Sequence, residues 1–500
     1  MSPAVRRLRW LVVPAILALA AVLRIWALGR PDTLVFDEIY YVRDAVSQLA
    51  HGYPTIWPDD DPAFDAERAG SHGDEPNSIA HPPLGKWMIA LGLLLLGPDT
   101  GWGWRLSTAL AGVATVAITM RIGSLLCRGP WVAWLAGLLL AVDGVHVVMS
   151  RVALLDGLLA MLIALGALFV AHDWVATARP AGVRVRWRRP WLLAAGLAFG
   201  AASAVKWSGL YPLAAFLVLL TIGDLLRRCY EDRPGPGRRR PFMGALLQAL
   251  ATAAIALPAA FAAYLASWIG WIIRPGGQNR HEGEPWWVSL WQWHLDAFSW
   301  HSTLTAPHPF QAHPLGWPLG LRPTAMYDAR WDGYVAVITP LPNPLVAWGG
   351  VAAVGLLAWI VLRASKLALV RRGAGPLLDG AVAASAFVLI GYLSGWLPWV
   401  LTFSRSAVFQ FYAVVLTPFS ALALALVLAG FASLPGARGL PLRAGIRLDG
   451  SAAALQGRRV ALGILLVAAI VLALLFWPLW IGMPVEHWFY RLHLWLPGWS

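Results

Sequence analysis

Charged side chains are scarce in this sequence. Asp, Glu, Lys and Arg make up 13% of its 500 residues, hydrophobic residues make up 58%, and the mean hydropathy is +0.61. A soluble globular domain carries about 25% charged residues. The shortage of charge therefore excludes a soluble domain of this length, and the long apolar runs predict a polytopic membrane protein built from transmembrane helices.

Cysteine is scarce as well, and two kinds of sequence signal are missing. Cys127 and Cys229 are the only cysteines. Both lie beside Arg-rich segments, which indicates the reducing side of the membrane and predicts no disulfide. The sequence has no Gly-rich phosphate loop, so nothing in it indicates a nucleotide site. It also has no internal repeat, which argues against a transporter.

The net charge of +13 raises the question of a nucleic-acid partner. The Arg residues, however, fall in short blocks between apolar runs, which is the pattern of cytoplasmic loops that face anionic lipid. The sequence therefore predicts membrane lipids as partners and no nucleic acid. The 30 Trp residues agree with this interpretation, because Trp concentrates at membrane interfaces.

The distribution of Arg and Lys predicts the topology. Residues 10–28 are expected to form an uncleaved first span after a cytoplasmic N-terminus, with a cleaved signal peptide as the alternative. The later basic blocks predict about eleven spans, with Arg186 and Arg371 inside and the C-terminus outside. The apolar stretch at 191–223 has basic residues on both flanks, so it must turn near Lys206. The helix at 86–96 is too short to cross roughly 30 Å of hydrocarbon and is expected to lie on the outer surface.

Two long polar segments are predicted to be external loops. The first, residues 30–104, holds eleven of the 26 acidic residues before residue 83 and only Arg30, Arg43 and Arg68 as basic residues there. The second, residues 273–333, is rich in Trp and His. We expect one all-α transmembrane catalytic domain over residues 1–500 that carries both loops and their surface helices, without a separate soluble domain.

Two adjacent carboxylates, Asp37 and Glu38, directly follow the first apolar run. A carboxylate pair just outside the bilayer, flanked by Phe36 and Tyr40, can supply a general base in a partly desolvated pocket. An ordinary acidic loop is the alternative interpretation. Metal binding is a further possibility for the histidines of the second loop, but their spacing lacks a compact HExxH or HxxxH ligand pair.

Several short motifs, taken in order along the chain, resemble the protein O-mannosyltransferases. They extend from the first span to the C-terminus, so the resemblance covers nearly the whole sequence. The second external loop is too short for the extra soluble domain of the eukaryotic members, which points to a bacterial-type member. The motifs are FDE at 36–38, HPPLGK at 81–86, SRVALLD at 150–156, VKWSG at 205–209, HSTLTAPHP at 301–309, WLPW at 396–399, WPLW at 477–480 and WLPGW at 495–499.

The resemblance implies a GT-C glycosyltransferase fold and a substrate pair. Members of this family move mannose from polyprenyl-phosphate-mannose to Ser or Thr hydroxyls of exported polypeptides. The protein is then expected in the plasma membrane, with its active site on the external face. A lipid phosphate is already a good leaving group, so no cofactor is expected to be required, and the ligand spacing does not support a divalent metal. A GT-C enzyme that uses another lipid-linked sugar or a lipid acceptor remains the main alternative, and a transporter is the second.

The resemblance also implies roles for individual residues. Asp37 matches the family carboxylate that serves as the base, and direct attack on the sugar would invert the anomeric carbon. Glu38 is expected to orient the acceptor or the loop. The remaining expected residues share a position near the outer surface: the donor phosphate is assigned to Lys86, Arg105, Arg151, Lys206 and Arg405, and the acceptor groove to His81, His301 and His308. Snorkelling of the cations to lipid headgroups is the alternative.

Overall fold

We describe the fold from a computed structural model, which covers residues 3–127, 129–177, 185–231, 241–305, 307–437 and 439–499. Apolar helices dominate it. The α-helices are α1 (Pro3–Ile25), α2 (Glu38–His51), α3 (Ala66–Ala69), α4 (Leu84–Leu96), α5 (Gly101–Leu126), α6 (Trp131–Ala141), α7 (Gly144–Met149), α8 (Leu155–Ala176), α9 (Pro190–Val205), α10 (Leu210–Glu231), α11 (Pro241–Ala266), α12 (Ile269–Ile273), α13 (Trp286–Thr303), α14 (Pro344–Val370), α15 (Gly380–Val400), α16 (Thr417–Phe431), α17 (Leu440–Ala444), α18 (Ala452–Trp480) and α19 (His487–Leu492). Short 3₁₀ helices lie at Trp207–Gly209, Pro314–Leu319, Gly375–Leu378, Gln410–Leu416 and Pro497–Trp499.

Eight helices are long and apolar enough to cross a membrane, within the ranges given above. They correspond to eight of the eleven predicted apolar runs. The other three runs contain shorter apolar helices, at Trp10–Ile25, Trp131–Ala141 and Pro190–Val205. A multi-span membrane protein is thus confirmed, whereas the number eleven stays a prediction.

The breaks between these helices have identifiable causes. The predicted turn near Lys206 is confirmed, because α9 ends at Val205 and a 3₁₀ turn leads into α10. The run predicted at 131–148 is not continuous: Asp143 accepts a hydrogen bond from the His146 amide at 2.8 Å and starts α7 as a separate helix. A side-chain cap of this kind favours a new helix start over continuation of the preceding helix.

Small residues allow α9 and α11 to pack closely. The α-carbons of Gly196 and Gly200 face the backbone of Ala256 and Ala260, and a Cβ at Gly200 would lie 2.2 Å from the Ala260 carbonyl oxygen. Only glycine fits at that distance, which is the usual basis of close helix packing in membranes. This contact holds α9, which ends next to Lys206, against α11.

The expectation of an all-α protein was incomplete. A three-stranded antiparallel sheet is formed by β1 (Tyr327–Trp331), β2 (Tyr334–Ile338) and β3 (Val485–Glu486), in the order β1-β2-β3. Gly333, at φ +77°, closes the β1–β2 hairpin after Asp332, and an Asp-Gly pair is a strong hairpin signal. Because β2 follows the second predicted external loop and β3 lies in the C-terminal segment, the sheet joins these two regions.

Helix α8 connects the end of the bundle that carries Asp156 to the end that carries Arg186. Helix α8 begins next to Asp156 and ends near Thr177, whose carbonyl oxygen accepts hydrogen bonds from Arg186 and Arg227 at 3.0 and 3.1 Å. Its 22 residues span roughly 33 Å at 1.5 Å per residue. Asp156 and Arg186 therefore lie about one bilayer thickness apart.

Candidate active site

The loop that carries Asp37 has an unusual backbone conformation. Phe36 lies in the left-handed region at φ +49°, which costs a bulky residue roughly 1–3 kcal/mol. Edge-to-face contacts with Phe409 and Phe411, at centroid distances of 6.0 and 5.6 Å, hold its ring in place. Asp37 follows at the start of α2, is partly buried, and makes no side-chain hydrogen bond within the described part of the chain.

Glu38, in contrast, is fully buried and fully paired. One carboxylate oxygen accepts from Arg105 Nε and from the Ala153 amide, both at 2.7 Å. The other accepts from Arg105 Nη2 at 2.7 Å and from the Val35 amide at 2.9 Å. Glu38 therefore joins α2, α5 and the start of α8. It is placed to orient the loop, and its burial does not fit a contact with the acceptor.

Arg105 uses all of its N–H groups inside the protein. Besides Glu38, it donates to the carbonyl oxygens of Leu28, Pro31 and Thr33, at 3.3, 2.9 and 2.9 Å. With two bonds to Glu38, these contacts engage all five donors of the guanidinium, and the side chain is fully buried. The prediction that Arg105 binds the donor phosphate does not agree with this geometry.

Lys86 and Arg151 also have their partners inside the protein. The ammonium of Lys86 is 3.1 Å from Asp44 and donates to the His81 carbonyl oxygen at 3.3 Å. Arg151 donates to the Arg24 carbonyl oxygen at 2.9 Å and so closes the end of α1. Both side chains are buried. Neither side chain lines the cavity that Lys206 and Arg405 share, so the structure does not bring them to a common phosphate site with those two cations.

A cavity of about 260 Å³ opens between the first predicted external loop, α13 and the loop after α15. Of the five predicted phosphate ligands, only Lys206 and Arg405 line it. Two of the three predicted groove histidines, His81 and His301, line it as well. The other wall residues that matter for its chemistry are Asp156, Trp207, Ser208, Phe298, Ser302, Trp399, Ser404 and Tyr412.

Lys206 reaches the cavity from the end of α9. Its ammonium donates to Asp156 at 2.7 Å and lies 4.8 Å from the centre of the Tyr412 ring. Lys206 is 7% exposed and Asp156 is 2% exposed. An ammonium carries three N–H groups, so the pair with Asp156 leaves Lys206 with donors for an anionic ligand.

Arg405 lies on the opposite wall. Its Nε donates to the Ala407 carbonyl oxygen at 3.0 Å, one Nη1 hydrogen points to His301 at 3.2 Å, and the guanidinium lies 5.8 Å from the centre of the Trp399 ring. The Nη2 group makes no hydrogen bond to any described residue. Arg405 is therefore held in place and still has free donors.

The predicted groove histidines separate into two groups. His81 stacks on His301 at 5.1 Å with a 13° interplanar angle, and burial lowers the pKa of both rings, that of His301 to about 4. Both rings are neutral at physiological pH. His308 does not line the cavity: it packs edge-on against Phe36 and Phe409 and accepts from the Phe310 amide.

The electrostatics of the cavity act on Asp37. Burial raises the pKa of Asp37 to about 6, the positive charge of Lys206 lowers it, and the negative charge of Asp156 raises it. A carboxylate with a pKa near 6 is largely ionised at neutral pH and is more basic than an ordinary aspartate. Asp37 itself does not line the cavity, but its charge coupling to Lys206 and Asp156, which do line it, places an ionisable carboxylate next to the cavity.

Comparison with known proteins identifies the family of this chain. The model of the dolichyl-phosphate-mannose-protein mannosyltransferases matches residues 76–271, and that of the C-terminal four-helix region of protein O-mannosyltransferases matches residues 286–499. A polyprenol-phosphate-mannose–protein mannosyltransferase of Mycobacterium tuberculosis is 31% identical over 99% of this chain and 92% of its own length. This chain belongs to the protein O-mannosyltransferase family.

Solved structures agree with the predicted GT-C fold. The Saccharomyces cerevisiae Pmt1–Pmt2 protein O-mannosyltransferase complex bound to the sugar donor aligns with a TM-score of 0.73, at 16% identity, over 98% of this chain and 92% of that chain. ArnT of Cupriavidus metallidurans bound to undecaprenyl phosphate aligns with a TM-score of 0.51, at 17% identity, over 94% and 76%. The GT-C architecture is thus confirmed.

Several residues that line the cavity were not predicted from the sequence. Asp156 lies in the SRVALLD motif, at the start of an apolar helix, and a lone carboxylate there was a usable signal. Trp399 and Tyr412 carry no comparable signal, because single aromatic residues are common near membrane interfaces. Within the described residues, no group of three or more His, Cys, Asp or Glu side chains is placed to hold a metal ion.

The Glu38–Arg105 pair predicts a stability effect. Glu38→Ala would leave the buried guanidinium without its carboxylate, and breaking a buried pair in this way costs about 3–5 kcal/mol. We expect a clearly lower melting temperature for the purified protein in detergent. Glu67→Ala, which removes an exposed glutamate from the same loop, is the matched control and should melt like the wild type. Equal melting temperatures for all three proteins would contradict the anchoring role.

Proposed function

We propose that this protein transfers mannose from polyprenyl-phosphate-mannose to Ser or Thr hydroxyls of exported polypeptides. The observation that carries the proposal is the partly buried carboxylate of Asp37, which makes no side-chain hydrogen bond to a described residue, has a raised pKa and is coupled to the charge of Lys206 in the wall of the cavity that also holds Arg405. This arrangement provides one base and two cations. A displacement reaction that releases a phosphate needs these groups.

The donor fits the charge of the cavity. Lys206 and Arg405 would bind the phosphate, with the mannose between the aromatic walls formed by Trp207, Trp399 and Tyr412. Charge builds up on the phosphate oxygens as the sugar–phosphate bond breaks, and preorganised cations stabilise that charge. Phe298 on α13 gives the cavity an apolar wall, which suits a polyprenyl chain.

Asp37 would act on the acceptor. As the hydroxyl oxygen bonds to the anomeric carbon, the sugar–phosphate bond breaks, the lipid phosphate leaves with the electron pair, and the hydroxyl proton moves to Asp37. A single direct displacement inverts the anomeric carbon and needs only one base. We also propose that no metal takes part, because the two cations already neutralise the leaving group. An unchanged transfer rate in EDTA is the expected result.

The distribution of charge supports an external location for the reaction. Lys206, Arg405 and Asp37 belong to one end of the bundle, and Trp499 donates to the Gly320 carbonyl oxygen at 2.7 Å, which ties the C-terminal segment to the second loop. Arg186 lies at the other end of α8. By the positive-inside rule, we propose a plasma-membrane protein with a cytoplasmic N-terminus and an external cavity and C-terminus.

Asp37→Asn tests the base. The amide keeps the shape of the side chain but cannot accept a proton at neutral pH, so mannose transfer should fall by about two to four orders of magnitude. Donor binding should survive, since an anionic donor gains nothing from a nearby carboxylate. The measurement is single-turnover transfer from synthetic polyprenyl-phosphate-mannose to a Ser/Thr peptide, alongside donor binding. Asp32→Asn, an exposed position in the same loop, is the control. Wild-type transfer by Asp37→Asn would place the base elsewhere.

Lys206→Met and Arg405→Met test the phosphate contacts. Each variant removes a charge that stabilises the leaving group, so transfer should slow by roughly a hundredfold or more. Lys366→Met and Arg371→Met make the same substitutions at exposed positions near the far end of α14 and should remain close to wild type. Near-normal turnover of both cavity variants would mean that these cations serve only the fold.

Single-cysteine labelling tests the orientation. In a background without Cys127 and Cys229, a membrane-impermeant maleimide added to intact cells should label Cys placed at position 32 or 313 and should not label Cys at position 186 or 371. All four positions lie outside the spanning helices. Labelling at 186 without labelling at 313 would reverse the proposed topology.

A further inference from the structure

We propose that His301 is a positioning residue, which holds the Arg405 guanidinium in the cavity through an unprotonated Nδ1 atom. This inference rests on the proposed function, because it assigns Arg405 to the donor phosphate. It changes the role expected from the sequence, which placed His301 in the acceptor groove. The evidence is the set of contacts around the imidazole ring.

The two partners of His301 fix its tautomer. Nε2 lies 2.7 Å from the Ala80 carbonyl oxygen, which can only accept a hydrogen bond, so Nε2 carries the proton. Nδ1 lies 3.2 Å from Arg405 Nη1, which can only donate. A ring protonated at both nitrogens would place an N–H against the guanidinium. The lowered pKa of His301, due mainly to burial, agrees with a neutral ring.

The ring cannot easily turn away from Arg405. His81 stacks on one face at 5.1 Å, and Trp207 contacts it edge-on at 6.0 Å. Trp207 is itself fixed by a hydrogen bond to the Tyr264 hydroxyl at 3.0 Å. His301 thus presents its Nδ1 lone pair in one direction, and it links the first predicted external loop, α13 and the loop that carries Arg405.

Arg405 needs such a partner because of where it lies. It belongs to an irregular stretch between α15 and the 3₁₀ helix Gln410–Leu416. Its Nε contact is to Ala407, only two residues away, and His301 is its one side-chain hydrogen-bond partner among the described residues. With Nε and one Nη1 hydrogen engaged, the Nη2 edge remains available. A planar edge with free N–H groups suits the oxygens of a phosphate.

Two substitutions at His301 test its Nδ1 contact with Arg405 and its Nε2 contact with Ala80 separately. In His301→Asn the amide oxygen can occupy the place of Nδ1 and accept from Arg405, but no group reaches the Ala80 carbonyl oxygen. In His301→Gln the amide nitrogen can occupy the place of Nε2 and donate to Ala80, but the Arg405 contact is lost. Positioning through Arg405 therefore predicts a nearly normal donor KM for the Asn variant and a KM raised roughly ten- to a hundredfold for the Gln variant.

The experiment measures donor KM, kcat and melting temperature for both variants, with His281→Asn and His281→Gln, at an exposed position, as controls. The same variants are then made in the Arg405→Met background. We expect the Gln substitution to add little there, because its partner is already gone. Equal losses in the Asn and Gln variants, or an undiminished effect in the Arg405→Met background, would overturn the inference and assign His301 to loop packing. If wild-type protein transfers no mannose, the proposed function fails instead.

Discussion

The bidentate pair between Glu38 and Arg105 determines where the loop with Asp37 can lie. The carboxylate accepts four hydrogen bonds and the guanidinium donates five, all inside the protein. A buried pair with such complete hydrogen bonding has one favourable geometry, since any shift leaves a buried charge uncompensated. Phe36 can then be kept in the left-handed region, and Asp37 is directed away from the pair that its neighbour forms. The two adjacent carboxylates therefore differ: Glu38 forms four hydrogen bonds inside the protein, whereas Asp37 remains available to a ligand.

A second constraint is the limited contact of the cavity with water. Burial raises the pKa of Asp37, and the opposite charges of the paired Lys206 and Asp156 shift that pKa in opposite directions. The same partial burial keeps His81 and His301 neutral, so they add no positive charge to Lys206 and Arg405. In a medium of low effective dielectric, each of these charges acts more strongly on a bound substrate than it would in water.

The sequence predicted the family and the fold, and two of its five candidate cations, Lys206 and Arg405, line one cavity. Asp37 follows the first apolar run, and Lys206 and Arg405 each lie at the external end of a predicted helix, which is the signal that the sequence offers for them. Lys86, Arg105 and Arg151 have the same kind of position, yet their partners are Asp44, Glu38 and a helix-end carbonyl. Glu38 and Arg105 are 67 residues apart, and nothing in local composition or periodicity distinguishes a cation that lines the cavity from one enclosed elsewhere in the bundle. In the small sheet, the β1–β2 hairpin had a local signal in Asp332-Gly333, whereas the pairing of β3 depends on the distant C-terminal segment and has none.

The most direct test of this account is the pH dependence of single-turnover mannose transfer. Because Asp37 must be ionised to accept a proton, the rate should fall about tenfold per pH unit below a midpoint near pH 6 and level off above it. The positive charge of Lys206 lowers the pKa of Asp37, so the residual activity of Lys206→Met should show its midpoint at higher pH. An acid limb near pH 4, or a limb unmoved by Lys206→Met and still present in Asp37→Asn, would contradict the assignment of Asp37 as a base tuned by this cavity.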